Sequence, residues 1–539
     1  MSASILILNN IKLPINASIQ EAFSVSIKRL KKYSAYPANP VFRIYRKSVD
    51  ARRRGNIFFV YSVAVEGEFP QISKSALADM DATFDSAVMP VPHHGSDELS
   101  SRPIVVGSGP CGLFAALLLA ERGYMPIILE RGGSVRERIS AIDDFRKTRK
   151  LNVNTNIQFG AGGAGTFSDG KLVTRTNDAL TSYVLKRFVE FGAPEDILYQ
   201  AKPHIGTDIL CVVVEKMIER ITALGGEIRY HTRFIGNKLT HGKIQKVSTS
   251  EGDIDTGAVI LALGHSARDT YCELMTSGVC IEAKNFSVGM RIEHLCADID
   301  RAMYGDFAGH SALGHGEYNL SYNTKQRGVY TFCMCPGGEV VTATSEDGGV
   351  VVNGMSQRSR NGVNSNSAVV CSVFKEDYGA TPMAAIEFQR KIERAAFSAA
   401  GENYSAPIIL LSDFMEDKLT REPSKIIPTY MGGEGVKIAS PYDYLPSFVC
   451  DSIKNAIPEF NKKISCFADG EAVLTGAETR TSAPIRIIRD NTSRLALGFD
   501  NLYPAGEGAG YAGGISSAAI DGVKTAIALI ERYKPLKND

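Results

Sequence analysis

Hydrophobic and polar positions follow three different patterns along this chain, and each pattern marks a different unit. In the first part, SILILN reads as a strand. Ile19, Ala22, Phe23, Ile27 and Leu30 fall at helical spacing, which predicts a helix. Residues 41–45 and 57–65 alternate or run apolar and predict two more strands, giving a small β-α-β-β unit. Residues 81–101, with Pro90, Pro92, two His and several Ser, predict a linker. From Pro103 the pattern becomes a short apolar strand, a Gly-rich turn, an apolar helix and another strand. Past residue 285 it changes again. Apolar segments at 329–333, 340–344 and 350–352 are separated by Gly-Gly and Asn-Gly turns, which predicts a largely antiparallel sheet. Near the end, 502–505 reads as a strand and 516–532 as a helix.

Composition narrows this only slightly. The chain has 539 residues, 44% apolar and 22% charged, with net charge +1. These are the proportions of an ordinary globular protein, with no global charge to attract a polyanion. Ten Cys are scattered without a disulfide-type spacing, and no CxxC or HxxxH spacing points to zinc, so no metal is expected. The longest apolar run, 113–120, is far shorter than the ~20 residues of a membrane span, and the N-terminus lacks a basic leader region. A reducing cytoplasm is the expected compartment, with no membrane partner.

The strongest chemical signal is PIVVGSGPCGLFAALLLAERGYMPIILERG. A buried strand leads into Gly107, Ser108, Gly109, Pro110, Cys111 and Gly112, the spacing GxGxxG. The next strand ends at Glu130, with Arg131 beside it. Gly107 permits a sharp turn, Gly109 lets backbone N–H groups approach a pyrophosphate, and Gly112 allows close helix–strand packing. The helix N-terminus favours the anion, and Glu130 is placed to accept hydrogen bonds from an adenosine ribose. This predicts a Rossmann-like βαβ site for a dinucleotide, either FAD or NAD. Further on, Gly165 is followed four residues later by Gly170 and Lys171, most of a P-loop. Leu172 stands where magnesium needs Ser or Thr, and no buried strand precedes the loop, so a nucleotide-triphosphatase is not expected.

Other segments favour FAD. In NLYPAGEGAGYAGGISSAAIDGVKTA, Gly506 and Glu507 follow a strand directly, and Gly513, Gly514 and Ile515 open a helix. Together with QFGAGGAGTFSDGKL, VILALGHSARD, FSVGMRIEH and RGVYTFCMCPGG, this chain resembles an uncharacterised bacterial family of FAD-dependent, NAD(P)-annotated dehydrogenases, within the glutathione-reductase-type (GR2) flavoproteins. The segment KSVDARRRGNIFFVYSV is similar to that family's leading domain. The resemblance implies a tightly held FAD and no particular substrate. It implies that Glu507 bonds a ribityl hydroxyl and that the helix after Gly514 faces the flavin ring. It also makes Gly162, Gly163, Ala164, Gly165 and Thr166 a second loop against the cofactor, with Ser168 an added donor and Gly264 a close-approach position. The expected α/β architecture is a small N-terminal domain and linker (1–97), an FAD-binding domain in two parts (98–285 and 471–539), and an inserted mixed, largely antiparallel substrate domain (286–470).

No second fingerprint exists, so NAD(P)H is expected only as a transient donor. Cys333 and Cys335 are the most chemical-looking residues of the insertion. They read either as thiols serving catalysis near the flavin or as two inert core residues ending a strand. Arg291 and Arg327 read as anion ligands or as partners of nearby Glu. His265 reads as a proton donor or as a loop-lining residue. Residues 28–54 hold ten basic side chains against Asp50 alone. Arg43, Arg46, Arg52, Arg53 and Arg54 would form an anion or RNA contact, or else a docking face for an acidic partner or another domain. The expected activity is therefore an FAD-dependent oxidoreductase, with a tRNA-modifying flavoprotein and a non-catalytic flavin sensor as the alternatives.

Overall fold

The computed structural model describes residues 4–52, 55–85, 91–174, 178–240, 242–324, 326–419 and 421–536. Arg53, Arg54 and the linker's Pro90 lie outside them. The N-terminal unit is an antiparallel sheet in the order Ala38–Asp50, Phe58–Glu68, Ser4–Pro14, Ala82–Phe84. Helix Ile19–Lys32 starts at a reciprocal cap between Ser18 and Glu21, and lays Ala22 and Leu30 on the sheet's apolar face. The fourth strand falls inside the expected linker. So short a strand gives too little alternation to register as a period. The outer strand is not a bare edge, because the Lys47 N–H donates to the Tyr199 carbonyl at 2.6 Å and the Ala201 N–H to the Lys47 carbonyl at 2.8 Å.

A five-stranded sheet carries the fingerprint. Its order is Leu502–Pro504, Val259–Leu261, Ile104–Val106, Ile127–Leu129, Glu227–Arg229, and every pairing is parallel. The strand Leu502–Pro504 brings the C-terminal segment back beside Val259–Leu261, so the sheet is built from two separated stretches of chain. Helix Pro110–Glu121 buries every residue from Cys111 to Ala120, as an apolar helix does when it is enclosed on all sides. Its neighbour is helix Ile515–Arg532, and a Cβ at Gly522 would lie 2.1 Å from the Cys111 carbonyl oxygen, so the two backbones nearly touch.

Between these stretches the chain builds a seven-stranded sheet. Its order is Ser321–Asn323, Gly328–Cys335, Asn364–Val373, Phe286–Leu295, Val473–Glu478, Ala406–Leu410, Val436–Ile438. All pairs are antiparallel except the last. Helices Pro382–Ala399 and Ser447–Lys463 supply its core with Ile392, Ala396, Val449, Ile453 and Phe460. The described residues thus form a mixed α/β fold, with an all-parallel sheet beside a mixed seven-stranded one and smaller antiparallel ones.

The parallel and seven-stranded regions are joined by buried charge. Arg268, first residue of helix Arg268–Thr276, donates to Glu393 at 2.7 and 2.8 Å and to Gln389 at 2.8 Å, both on helix Pro382–Ala399. Arg480 donates to the same Glu393 at 2.9 and 3.2 Å. Two guanidiniums hold this carboxyl well below the usual carboxylate range even though its burial acts in the opposite direction.

Candidate functional site

The fingerprint turn is closed by contact, not only by conformation. Gly107 has φ +100°, and a Cβ there would sit 2.4 Å from the Ala262 carbonyl oxygen. A Cβ at Gly112 would lie 1.9 Å from the Gly107 carbonyl oxygen, which fixes helix against strand. Gly109 is different. It caps the helix N-terminus with ordinary φ/ψ and without a side-chain cap, and a Cβ there would meet only the Gly163 Cα, at 3.9 Å. Gly109 therefore presents a bare backbone face.

The second helix N-terminus converges on the same place. Helix Ile515–Arg532 begins after Gly514, again with no side-chain cap. Added Cβ atoms at Gly513, Gly514 and Gly264 would meet nothing within 4 Å. Gly165 lies between the two helix starts, since its Cβ position is 3.4 Å from Pro110 and 3.0 Å from Ile515. Two positive helix ends thus point toward one loop, 162–166. That placement is unfavourable alone and favourable around an anion. Thr166 Oγ1 is buried there without a hydrogen-bond partner among the described residues.

The loop is held from behind by Arg138, on helix Val135–Thr148. Its fully buried guanidinium donates to the carbonyls of Asn156, Ile157, Ala161 and Gly163 at 2.5–3.1 Å, and to Gly160 at 3.4 Å. Burial lowers its pKa to about 10, against the favourable pull of Glu130, and leaves it charged at neutral pH. Nothing in the sequence singles it out, because it is one of three Arg on the helix and shares the buried face with Val135, Ile142 and Phe145.

Glu130 is engaged more fully than a free ribose ligand. One oxygen accepts from the Ser108 N–H (3.1 Å) and Ser108 Oγ (2.6 Å). The other accepts from the N–H groups of Gly132 and Gly160, both at 2.9 Å. Four donors fill its lone pairs, so it ties the fingerprint turn to the loop beneath it. Ser168 is likewise engaged, donating to the Gly165 carbonyl (2.7 Å) and accepting from the Gly170 N–H (3.1 Å). Arg131 pairs with Asp269 through both nitrogens and lies 4.2 Å over the Phe159 ring. Beside it opens a cleft of about 800 Å³, lined on the parallel-sheet side by Arg131, Phe159 and Arg233 and on the other by Glu346 and Arg390.

At the far end, Gly506 packs on Cys111, where its Cβ would lie 2.8 Å from the Cys111 Cβ. Its N–H donates to Asp521 at 2.7 Å. Asp521 is held in turn by Arg489 at 2.8 and 2.9 Å. This fixes the turn that carries Glu507. The Glu507 carbonyl accepts from the Gly510 N–H at 2.9 Å, but no hydrogen bond or ion pair reaches its carboxylate among the described residues. Burial raises its pKa to about 7; Lys284 opposes the rise and Cys333 adds to it. Lys171, just after the glycine loop, bonds the Met334 carbonyl and so ties strand Gly328–Cys335 of the seven-stranded sheet to this region.

That strand is not regular. Phe332 faces Ala368 and Cys335 faces Asn366, so one extra residue is inserted between them. Cys333 sits in the bulge at φ +63°. Simple alternation does not hold here, and the Cys335 thiol donates to the Cys333 carbonyl at 3.8 Å. The neighbouring Cys335 side chain, with Arg291 and Lys171, lowers Cys333 to about 7 against its burial, whereas Cys335 is pushed well up. Arg291 is neither an open anion ligand nor a surface partner. It is fully buried, pairs with Glu478 at 3.0 Å and donates to the Cys333 carbonyl at 2.5 Å. Lys171 reaches the Met334 carbonyl. Arg327 is taken by Asp377, and His265 is driven down to about 3 by burial and by Arg480 and Arg268.

The basic N-terminal residues are dispersed. Arg29 donates to the carbonyls of Asn9 and Met80, Arg43 lies 3.6 Å from Glu66, and Arg52 and Lys12 share Asp50. No helix among the described residues is long and apolar enough to cross a membrane.

Known proteins bear on this geometry. Residues 285–481 match the family described as FAD-dependent protein, C-terminal domain-like, and residues 6–66 match a domain of unknown function. An uncharacterized protein of Clostridium beijerinckii is 42% identical over 527 residues, 96% of this chain and 98% of that one. The chain belongs to one family with it. Solved structures are similar only loosely. Glycine oxidase from Bacillus cereus is 11% identical with a TM-score of 0.35, covering 81% of this chain and 99% of that one. L-amino acid deaminase from Proteus vulgaris is 13% identical with a TM-score of 0.34, covering 84% and 97%. At these scores the likeness carries no argument about activity.

Proposed function

We propose that this chain is an FAD-dependent oxidoreductase of the glutathione-reductase type. The observation that carries the reading is the convergence of two uncapped helix N-termini, at Gly109 and Gly514, on the glycine loop 162–166. The match of residues 285–481 to an FAD-dependent protein family supports the same cofactor.

The residues fit a dinucleotide that carries a pyrophosphate. Gly109, Cys111 and Gly112 offer helix-terminal N–H groups to it, and Gly163 to Thr166 form the opposing wall. Arg131 and the adjoining cleft suit the adenosine end, and Glu130 braces the turn beside it. Gly264, Glu507, Gly513, Gly514 and Ile515 suit the flavin end. When bound, FAD supplies two-electron redox chemistry of its own. The protein's part is to orient and tune. Arg138 keeps the loop carbonyls turned away from the phosphates, and Asp521 fixes the turn at Gly506. Glu507 holds or releases a proton near neutral pH, and the seven-stranded sheet limits water at this end.

Anaerobic mixing of the flavin-loaded protein with NADH or NADPH tests the activity. Loss of the flavin's visible absorbance supports a reductase that uses a nicotinamide as a transient donor. A bound flavin that no two-electron donor bleaches points to a non-catalytic scaffold instead.

A further inference from the structure

We infer that the free face of the N-terminal sheet binds a single strand of nucleic acid. This surface is separate from the dinucleotide site, and the inference stands without the cofactor reading.

The other face and the outer edge of the sheet are already in use. Phe59, Tyr61, Val63 and Val65 point to one face, where helix Ile19–Lys32 packs and where Met303, Tyr304 and Phe307 of the inserted region join the same apolar cluster. The edge of strand Ala38–Asp50 pairs with residues 199–201 through Lys47. Phe58, Val60, Ser62 and Ala64 alternate with the covered set and so belong to the opposite face. Directly paired residues share a face. Lys12 stands opposite Val60, Arg46 opposite Ser62 and Arg43 opposite Ala64, so all three lie on this free face. Arg52 joins them by gripping Asp50, which is opposite Phe58, at 2.7 and 2.8 Å. The basic residues of this unit are spread along the chain, yet four of them meet on one surface.

The surface is open and positive. The side chains of Lys12, Arg43 and Arg52 are 48, 51 and 87% exposed, and Arg46 is exposed as well. Asp50 and Glu66 share the face, and Asp85 flanks it beside Ile5. Exposed ion pairs of this kind are weak, and a polyanion offering several charges at once competes with them. Over residues 43–54 six basic side chains stand against one acid, in a chain whose total charge is only +1.

Charge alone would suit any polyanion; the aromatic residues narrow the choice. The strand bulges between Ile44 and Arg46, and the extra residue, Tyr45, is 41% exposed between the two arginines. Nearby, Lys12 lies 4.2 Å over the Phe58 ring. An open ring flanked by guanidiniums lets an unpaired base stack while its phosphates are neutralised. A duplex keeps its bases stacked inside, so the strand that fits is single.

The test is a titration of the purified full chain onto labelled oligouridine and oligothymidine, read by fluorescence anisotropy over a salt series, with and without saturating FAD. With these four cations on phosphates, log affinity is expected to fall with log salt at a slope of about −3. Tyr45→Ala should weaken binding roughly five- to hundred-fold with the slope unchanged, and Tyr45→Phe should keep it. Arg46→Ala should lower the slope by about 0.7. A wild type that binds neither strand at low salt, or a folded Tyr45→Ala that binds equally well, overturns the proposal. Polyglutamate bound as tightly as the oligonucleotides also overturns it, by making the face a dock for an acidic protein. Binding that FAD displaces does so too, by moving the strand to the dinucleotide site. The wild-type slope and these competitors decide even where a variant fails to fold. The FAD content of the same sample is read separately, so colourless protein that binds the strand, or yellow protein that does not, tells the two readings apart.

Discussion

Glu507 is a half-buried acid whose carboxylate no described residue bonds. Its ordinary pKa of 4.5 rises to about 7 in the folded chain. Between those values the folded chain holds a proton that the unfolded chain has released, so its contribution to stability falls as pH rises through the window. In cofactor-free protein, the wild type should lose up to about 3 kcal/mol relative to Glu507→Gln between about pH 5 and pH 8, measured as the urea midpoint multiplied by its slope. A difference that stays flat over that range removes Glu507 as a perturbed group. The position of this acid after a strand and before a Gly-rich helix is visible in the sequence. Its isolation is not, because that depends on Lys284 and Cys333, which belong to the inserted region and its border, far from Glu507 along the chain.

The loop 156–163 shows how one side chain shapes a whole element. Its glycines permit the path, but the Arg138 guanidinium satisfies the carbonyls that the path leaves pointing inward. Arg138→Leu should strand those carbonyls at a cost of at least about 3 kcal/mol. Amide hydrogen exchange across 156–163 should then accelerate while the fingerprint strand Ile104–Val106 stays protected. Equal exchange in variant and wild type contradicts the clamp. The strand, glycine turn and helix of the fingerprint are readable in the sequence, since their determinants all fall within one short stretch, from Pro103 to Glu130. So are the strands and helix of the N-terminal unit. The bulge at Cys333 is not, because it arises from register against a later strand, Asn364–Val373. Nor is the short strand Ala82–Phe84, whose pairing partner lies near the start of the chain.

Over the whole molecule, buried ion pairs do what local pattern cannot describe. Arg268, Glu393 and Arg480, widely separated in the chain, join the parallel sheet to the inserted seven-stranded sheet, and Arg489 and Asp521 brace the C-terminal turn. Within that frame Gly109, the loop 162–166 and the helix start at Gly514 pack together, and the cofactor reading depends on that meeting. Gly109→Ala isolates it. The added methyl meets no protein atom closer than 3.9 Å, so folding should be untouched, but it occupies the face offered to a pyrophosphate. The deciding measurement is a titration of FAD onto cofactor-free wild type and Gly109→Ala. The account predicts one FAD bound per wild-type chain, at least about ten-fold weaker binding by the variant, and equal melting temperatures of the two apo proteins. A wild type that takes up no FAD, or a variant that binds it equally well, contradicts it.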